Sequence, residues 1–294
     1  MQRAARIPIA GVHSPVYHVS DTSSTLDLAA TLLVDTTTPT PHLTTIIADR
    51  QSAGRGRLGR TWTTPDGQAL LASTIVSLPT SFPTKMLGWL VHACALSVRD
   101  ALSPRLTPVG HTVSLKWPND VLVDGARKIC GILAQLAPAS SPFTTSAILG
   151  YGINIAQDSD HLATPQATSL YAEGDAEAGA NPTSVSHTLL AQILTGLDSR
   201  IRGLVTHGNA HDCGLADEAA NALPLLGTRI ALAKPTDPNG HPAMEGVALG
   251  LSQTGSLLVA TDDGRTHDIN AGDVLATGLP LTTVHDTKEK RANN

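Results

Sequence analysis

Four of the chain's twenty Lys and Arg residues, Arg50, Arg55, Arg57 and Arg60, fall within eleven residues of one another, and no acid lies between Asp49 and Asp66. Gly54, Gly56 and Gly59 are set among them, and Trp62 closes the run "AGRGRLGRTW". Glycines let backbone N–H groups approach an anion closely and tolerate positive φ. Arginines add permanent charge and bidentate hydrogen bonds to phosphate or carboxylate. The stretch predicts a loop that binds a small anion. Like charges repel, and each glycine costs about 0.5–1 kcal/mol more to fix than alanine. The loop is therefore expected to be disordered when empty and to fold over its ligand, shielding something water would destroy. A surface loop without a role usually mixes charge signs, and this one does not. Gly54-x-Gly56-x-x-Gly59 also spells the dinucleotide fingerprint. That motif should open a helix, but here it runs into "TWTTPDG", which argues against a nicotinamide-dependent oxidoreductase.

Two further clusters carry chemistry. "LKWPNDVLV" places Lys116, Trp117, Asn119 and Asp120 at a strand end. Pro-Asn-Asp is an ordinary hairpin turn, but Asn and Asp also suit Mg²⁺, which takes a carboxylate plus phosphates. In "GARKICGILAQ", Lys128 sits in an otherwise apolar strand, where lysine normally reaches for solvent. Alternation puts Lys128, Cys130 and Ile132 on one face and Ile129, Gly131 and Leu133 on the other, aiming the charge at a partly enclosed anion. The two glycines of "GYGINI" mark close approach of a ligand or another backbone. His207, His211 and Cys213 have crude metal-ligand spacing, but their polar surroundings read as a surface turn, so no zinc is expected. Neither a G-x-S-x-G nor a Cys/His constellation signals an enzyme nucleophile.

The elements that must hold these residues follow from periodicity. "DTSST" predicts a hydroxyl cap for a helix through "LDLAATLL". "LTTIIA" (43–48) and "ALLASTIVSL" (69–78) predict strands on either side of the Gly/Arg loop. "MLGWLVHACALSVRDAL" has helical spacing and is expected to end at Pro104, with Trp89 as packing and His92 on the helix surface. "VSLKW", "VLV", "KICGILAQL" and "SAILGYGINI" predict an antiparallel meander. "AEGDAEAGANPTS" reads as a polar surface loop. Val185, Leu189, Leu190, Ile193, Leu194, Leu197, Ile201 and Leu204 form one helical stripe. From Leu223 the texture changes to short strands that suggest a small β-barrel.

Bulk properties narrow the class. At 294 residues with 3% aromatics, the core must be aliphatic and alanine-rich. A net charge of -5 argues against a general nucleic-acid binder, including an RNA-binding module built on the Arg/Gly loop. Three scattered cysteines fit a reducing, cytoplasmic setting. The N-terminal residues lack a signal-peptide apolar run, and no stretch approaches the roughly 18 apolar residues of a membrane span.

"GRGRLGRTW", "KWPND", "KICGIL" and "GYGIN", in this order and at these separations, resemble the biotin protein ligases over roughly residues 20–155. The resemblance implies an α+β fold, a central mixed β-sheet backed by helices of the class II synthetase-like, biotin–lipoate ligase type. It also implies a small C-terminal SH3-like β-barrel. The implied domains are a catalytic biotin/ATP-binding unit over 1–222, the barrel over 223–285 and a disordered tail over 286–294. The short form, without the family's DNA-binding winged helix, is expected, so no DNA or membrane partner is. The implied activity is formation of biotinyl-5′-AMP from biotin and MgATP, then transfer to a lysine of a biotin carboxyl carrier protein. A lipoate–protein ligase or octanoyltransferase of related architecture is the alternative. Matched motif by motif, Ser24, Thr25, Gln51, Gly54, Arg55, Arg57, Lys128, Gly131 and Gly150 resemble the biotin contacts. Arg60, Trp62, Lys116, Asn119, Asp120 and Asn154 resemble the ATP side, with Asp120 on Mg²⁺ and with Lys128, Arg55 and Arg57 catalytic. Leu26 stands where the family pattern has Asn, and Thr277 where it has an Arg near ATP.

Overall fold

A computed structural model describes residues 4–35, 37–141, 144–233 and 242–279. The first half of the chain forms β1 (Ala5–Ile7), β2 (Val16–Thr22), α1 (Thr25–Val34), β3 (Thr45–Gln51) and β4 (Ala69–Pro79). It continues through α2 (Gly88–Leu106), β5 (Val113–Lys116), β6 (Asp120–Val123), β7 (Arg127–Ser141) and β8 (Thr144–Asn154). Then come α3 (Ala176–Ala180), α4 (Pro182–His207) and α5 (Leu215–Asn221). The C-terminal strands are β9 (Arg229–Ala233), β10 (Pro242–Leu251), β11 (Leu257–Ala260), β12 (Thr266–Ile269) and β13 (Asp273–Leu279).

The large sheet has the order β1-β2-β3-β4-β8-β7-β6-β5. It is mixed because β2 and β3 run parallel while the other pairs are antiparallel. The meander β5–β8 lies as the turn residues predict. Alternation divides the two faces. Ile46, Ile75 and Ile148 pack under Leu26, Ala29 and Leu33 of α1. Their neighbours Ile47, Val76 and Leu149 join α2 and α4 in the main core. α1 covers only part of its face, and the rest is left open for a site.

The α4 stripe is buried at all eight expected positions. α2 runs past Pro104 to Leu106 instead of ending at the proline. A proline in the last turn forfeits one backbone hydrogen bond, while Leu106 is fully buried and holds the turn in place. The "AEGDAEAGANPTS" segment is not simply a surface loop. Asp175 accepts from the Ala178 N–H and caps α3, whose Ala178 is buried, and Asp175 also pairs with Arg105.

β9–β13 form a five-stranded antiparallel sheet of order β12-β11-β10-β9-β13, a small all-antiparallel unit as expected. The turn between β10 and β11 seats on α2. Trp89 Nε1 donates to the Gln253 carbonyl at 2.9 Å, and His92 Nε2 lies 2.8 Å from the Gly255 carbonyl. A carbonyl only accepts, so Nε2 carries the proton. His92 is 4% exposed, a docking residue and not the helix-surface residue expected, because this turn covers it. The tail from 286 lies outside the described residues.

Candidate functional site

A cleft of about 510 Å³ opens beside α1. Its floor is the glycine pair Gly131 and Gly152, opposite each other on β7 and β8. The Trp62 ring lies across both. A Cβ on Gly152 would stand 2.5 Å from that ring, and one on Gly131 3.1 Å from it. These two positions are bare because an indole must rest there. At Gly150 a Cβ would meet the Leu26 side chain at 2.8 Å, so the gap expected to admit ligand is shared with α1. The apolar wall comes from Leu26, Trp62 and Leu133. Ser73 of the neighbouring β4 hydrogen-bonds the Thr25 hydroxyl at 2.8 Å.

Lys128 reaches the cleft through an irregularity that strict alternation missed. Val121 pairs with Cys130 but the next residue, Leu122, pairs with Lys128, leaving Ile129 as the extra residue of a bulge. A bulge re-aims side chains. Lys128 therefore shares a face with Gly131, not with Cys130 and Ile132 as predicted, and those two are buried. Lys128 Nζ stands 2.7 Å from Asp120 Oδ1 and 5.7 Å from the Trp62 ring centroid. The backbone of Lys128 is clamped too. Its N–H donates to the Gln166 carbonyl at 2.6 Å, and its carbonyl accepts from the Thr168 N–H at 2.8 Å. The Thr168 hydroxyl bonds Glu173, which also binds Arg127 and lies beside His111. Burial works to raise the Glu173 pKa, but hydrogen bonds from Arg127 and Thr168 outweigh it and hold the carboxyl below its ordinary value.

The Gly/Arg loop is folded on itself: Gly56 N–H donates to the Arg60 carbonyl at 2.7 Å and Trp62 N–H to the Gly54 carbonyl at 2.9 Å. The charge imbalance behind the expected disorder is only local. Arg55 pairs with Asp27 of α1, Arg60 with Asp273 of β13, and Arg57 Nη1 lies 3.1 Å from Asn119 Oδ1 and 3.7 Å from Asp273. Burial lowers the Arg57 pKa against the pull of Asp273 and Asp120. Gly54 is not among the described residues that line the cleft. A Cβ there would collide with the Trp62 carbonyl oxygen, so its smallness serves the loop's own packing. At the α1 end, Ser24 makes no side-chain cap. Gln51 Oε1 takes that place, accepting from the Thr25 N–H at 2.7 Å and the Thr25 hydroxyl at 3.0 Å.

Every other residue expected at the site lines this cleft: Ser24, Thr25, Gln51, Arg55, Arg57, Arg60, Trp62, Lys116, Asn119, Asp120, Lys128, Gly131, Gly150 and Asn154. Asn119 also holds the Ile132 carbonyl through Nδ2 at 2.8 Å. The lining further includes Gly152, Gln157, the 161–164 segment and Asp273, and Asp27 grips the loop from outside. Gly152 was visible in "GYGIN", but the two aspartates had no local signal because their partners are far away in sequence. His207, His211 and Cys213 do not gather. His207 Nδ1 faces the Gly203 carbonyl, His211 meets Trp89 edge-on and Cys213 bonds the Ala210 carbonyl.

The sequence and the fold have known relatives. A profile of the biotin/lipoate A/B protein ligase family matches residues 22–154, and one for the biotin protein ligase C-terminal domain matches 236–275. The biotin–[acetyl-CoA-carboxylase] ligase of Mycobacterium tuberculosis is 34% identical over 78% of this chain and 77% of its own length. The bifunctional ligase/repressor BirA of Bacillus subtilis is 29% identical over 76% of this chain and 63% of its own. The biotin protein ligase of Aquifex aeolicus in complex with biotin and ATP superposes with a TM-score of 0.61 at 25% identity, covering 89% of this chain and 97% of that one.

Proposed function

The chain belongs to the biotin protein ligase family, and on that premise we propose that it activates biotin with ATP and passes the biotinyl group to a carrier-protein lysine. One observation supports this most directly. Arg55, Arg57, Arg60, Lys116 and Lys128 line a single cleft in which, among the described residues, Asp120 and Asp273 are the only acids, although the whole chain is acidic. Such a cleft suits a reaction that brings one anion onto another. A carboxylate oxygen of biotin attacks the α-phosphorus of ATP, the P–O bond to the β-phosphate breaks, and pyrophosphate leaves. The neutral lysine amine of the carrier then attacks the acyl carbon, AMP departs, and the amine loses a proton to form the amide. No enzyme nucleophile is required. Preorganised donors at the developing charge contribute about 3 kcal/mol each in comparable sites, and Lys128, Arg55 and Arg57 would be the side chains for that work.

Ser24, Thr25, Gln51 and Leu26 would take the ring end of biotin. Trp62, Asn119 and Asn154 would take the nucleotide. The loop would keep water from the acyl-adenylate. Mg²⁺ fits through one carboxylate, Asp120, since such ions are held by one or two carboxylates and phosphate oxygens. Among the described residues no three His, Cys, Asp or Glu side chains form a cage of their own. Bound there, the ion would neutralise phosphate charge. The reading divides the chain into a catalytic unit over 1–222 and a C-terminal unit over 223–285, the latter contributing Asp273. No helix among the described residues is long and apolar enough to cross a membrane.

The test is mass spectrometry of a biotin carboxyl carrier domain incubated with the protein, ATP and either biotin or lipoate. A single biotinyl group on one lysine, dependent on ATP, is the expected result. Lipoyl transfer in preference to biotinyl transfer would replace this reading with that of a lipoate ligase.

A further inference from the structure

His111 follows α2, where its N–H donates to the Leu106 carbonyl at 3.1 Å, and the chemistry above makes no use of it. Its ring bridges two carboxylates. Nδ1 lies 2.8 Å from Asp124 Oδ2, and Nε2 lies 3.2 Å from Glu173 Oε2. Arg127 holds the same two acids, at 2.7 Å and 2.5 Å. Among the described residues no other charged side chain pairs with the ring or with its two acids. Arg105, in the last turn of α2, is taken by Asp175 and Glu177. Two carboxylates thus share one guanidinium, and a protonated His111 cancels the negative charge left over. Carboxylate oxygens only accept, and only the imidazolium offers a hydrogen at both nitrogens.

We propose that His111 is a positioning residue for Lys128, and that its proton sets how firmly the Lys128 backbone is held. This rests on the role given to Lys128 in adenylate formation. The link between the two is short. Glu173 Oε1 accepts from the Thr168 hydroxyl at 2.6 Å. The Thr168 N–H donates to the Lys128 carbonyl at 2.8 Å, and the Lys128 N–H donates to the Gln166 carbonyl at 2.6 Å. With the ring charged, Glu173 is drawn to His111 and Arg127 together, and Thr168 is fixed behind it. When the ring loses its proton, one nitrogen turns a lone pair toward a carboxylate. Glu173 is only 9% exposed, and a buried charge short of a partner is costly. It must shift, and Thr168 and the Lys128 backbone shift with it. Imidazole is the side chain that ordinarily changes charge near neutral pH. A displacement of about 1 Å at a reacting group can cost on the order of 10²-fold in rate.

The experiment measures biotin-dependent pyrophosphate release from about pH 6 to about pH 9 in the wild type, His111→Gln and His111→Lys, with circular dichroism to confirm folding. In a second arm, hydrogen exchange reads the Lys128 amide of each protein without substrates. His111→Gln should lower kcat roughly tenfold and leave the KM for biotin and ATP within about twofold, the pattern of a loss felt in the transition state. The wild-type kcat should decline on the alkaline side as the ring deprotonates. His111→Gln should lack that decline, and His111→Lys, charged throughout, should hold its activity to higher pH. Protection of the Lys128 amide should fall roughly tenfold in His111→Gln and recover in His111→Lys. The proposal is overturned if folded His111→Gln keeps the wild-type kcat and its alkaline decline. It is equally overturned if that variant loses thermal stability while the Lys128 amide stays as protected as in the wild type. Exchange needs no turnover. If Lys128 protection follows His111 as expected but even the wild type releases no pyrophosphate with biotin, the ligase reading fails and the link from His111 to Lys128 stands.

Discussion

At the residue scale the site depends on side chains that hold one another before any ligand does. Lys128 is gripped by Asp120 and lies against Trp62; Gln51 serves the first turn of α1; Arg57 bonds Asn119. Residue types marked most of these positions, but not their partners. Lys128 was legible as a charge in an apolar strand, whereas the aspartate that fixes it belongs to the hairpin opposite. Lys128→Ala should lower biotin-dependent pyrophosphate release about 10²–10³-fold, the usual cost of one lost charge-stabilising donor, with circular dichroism unchanged. Near-normal release from a folded variant would remove Lys128 from its assigned role.

At the element scale the bulge at Ile129 and the clamp on the Lys128 backbone matter most. A period-two reading of β7 put Lys128 on the wrong face, because one inserted residue reverses the alternation. The same strand start is tied by Arg127 to Glu173, in a segment that reads from sequence as a polar loop. Glu173→Gln should cost about 2 kcal/mol at pH 7, the range for hydrogen bonds to a charged group, and should also slow adenylate formation by loosening the clamp. The folded-state pKa of Glu173 lies below its ordinary value. Its stabilisation is therefore complete above the ordinary carboxylate range near about pH 4.3 and is lost as the pH falls through the folded-state value. Urea unfolding of wild type and variant should show a gap at pH 7 that narrows in acid. An equal gap at both ends would argue that the charge does not matter.

At the scale of the whole molecule, the C-terminal sheet meets the rest of the chain at two places, one of them the site. The β10–β11 turn docks on Trp89 and His92, and the start of β13 brings Gly272 and Asp273 to Arg57 and Arg60. Burial lowers the His92 pKa, so the docked ring is neutral. A lowered folded-state value means that the stabilisation is full above the ordinary histidine value of 6.5 and declines below it as the unfolded state takes up a proton. The thermal unfolding midpoint should drop between pH 7.5 and pH 5.5, and His92→Gln should flatten that dependence. An unchanged slope in the variant would assign the acid sensitivity to other groups.

Local order determined much of this protein. The apolar period of α4, the turn residues of the meander and the glycine-spaced arginines each depend on neighbours a few positions away, and each was legible in the chain alone. Pairing across distance was decided only by the fold. Asp27 and Asp273 neutralise the loop, β10–β11 covers His92, and Leu26 fills the gap at Gly150, because those contacts join residues brought together by sheet order and docking. Periodicity carries no information about such partners: it says which way a side chain points, and the tertiary structure decides what is waiting there.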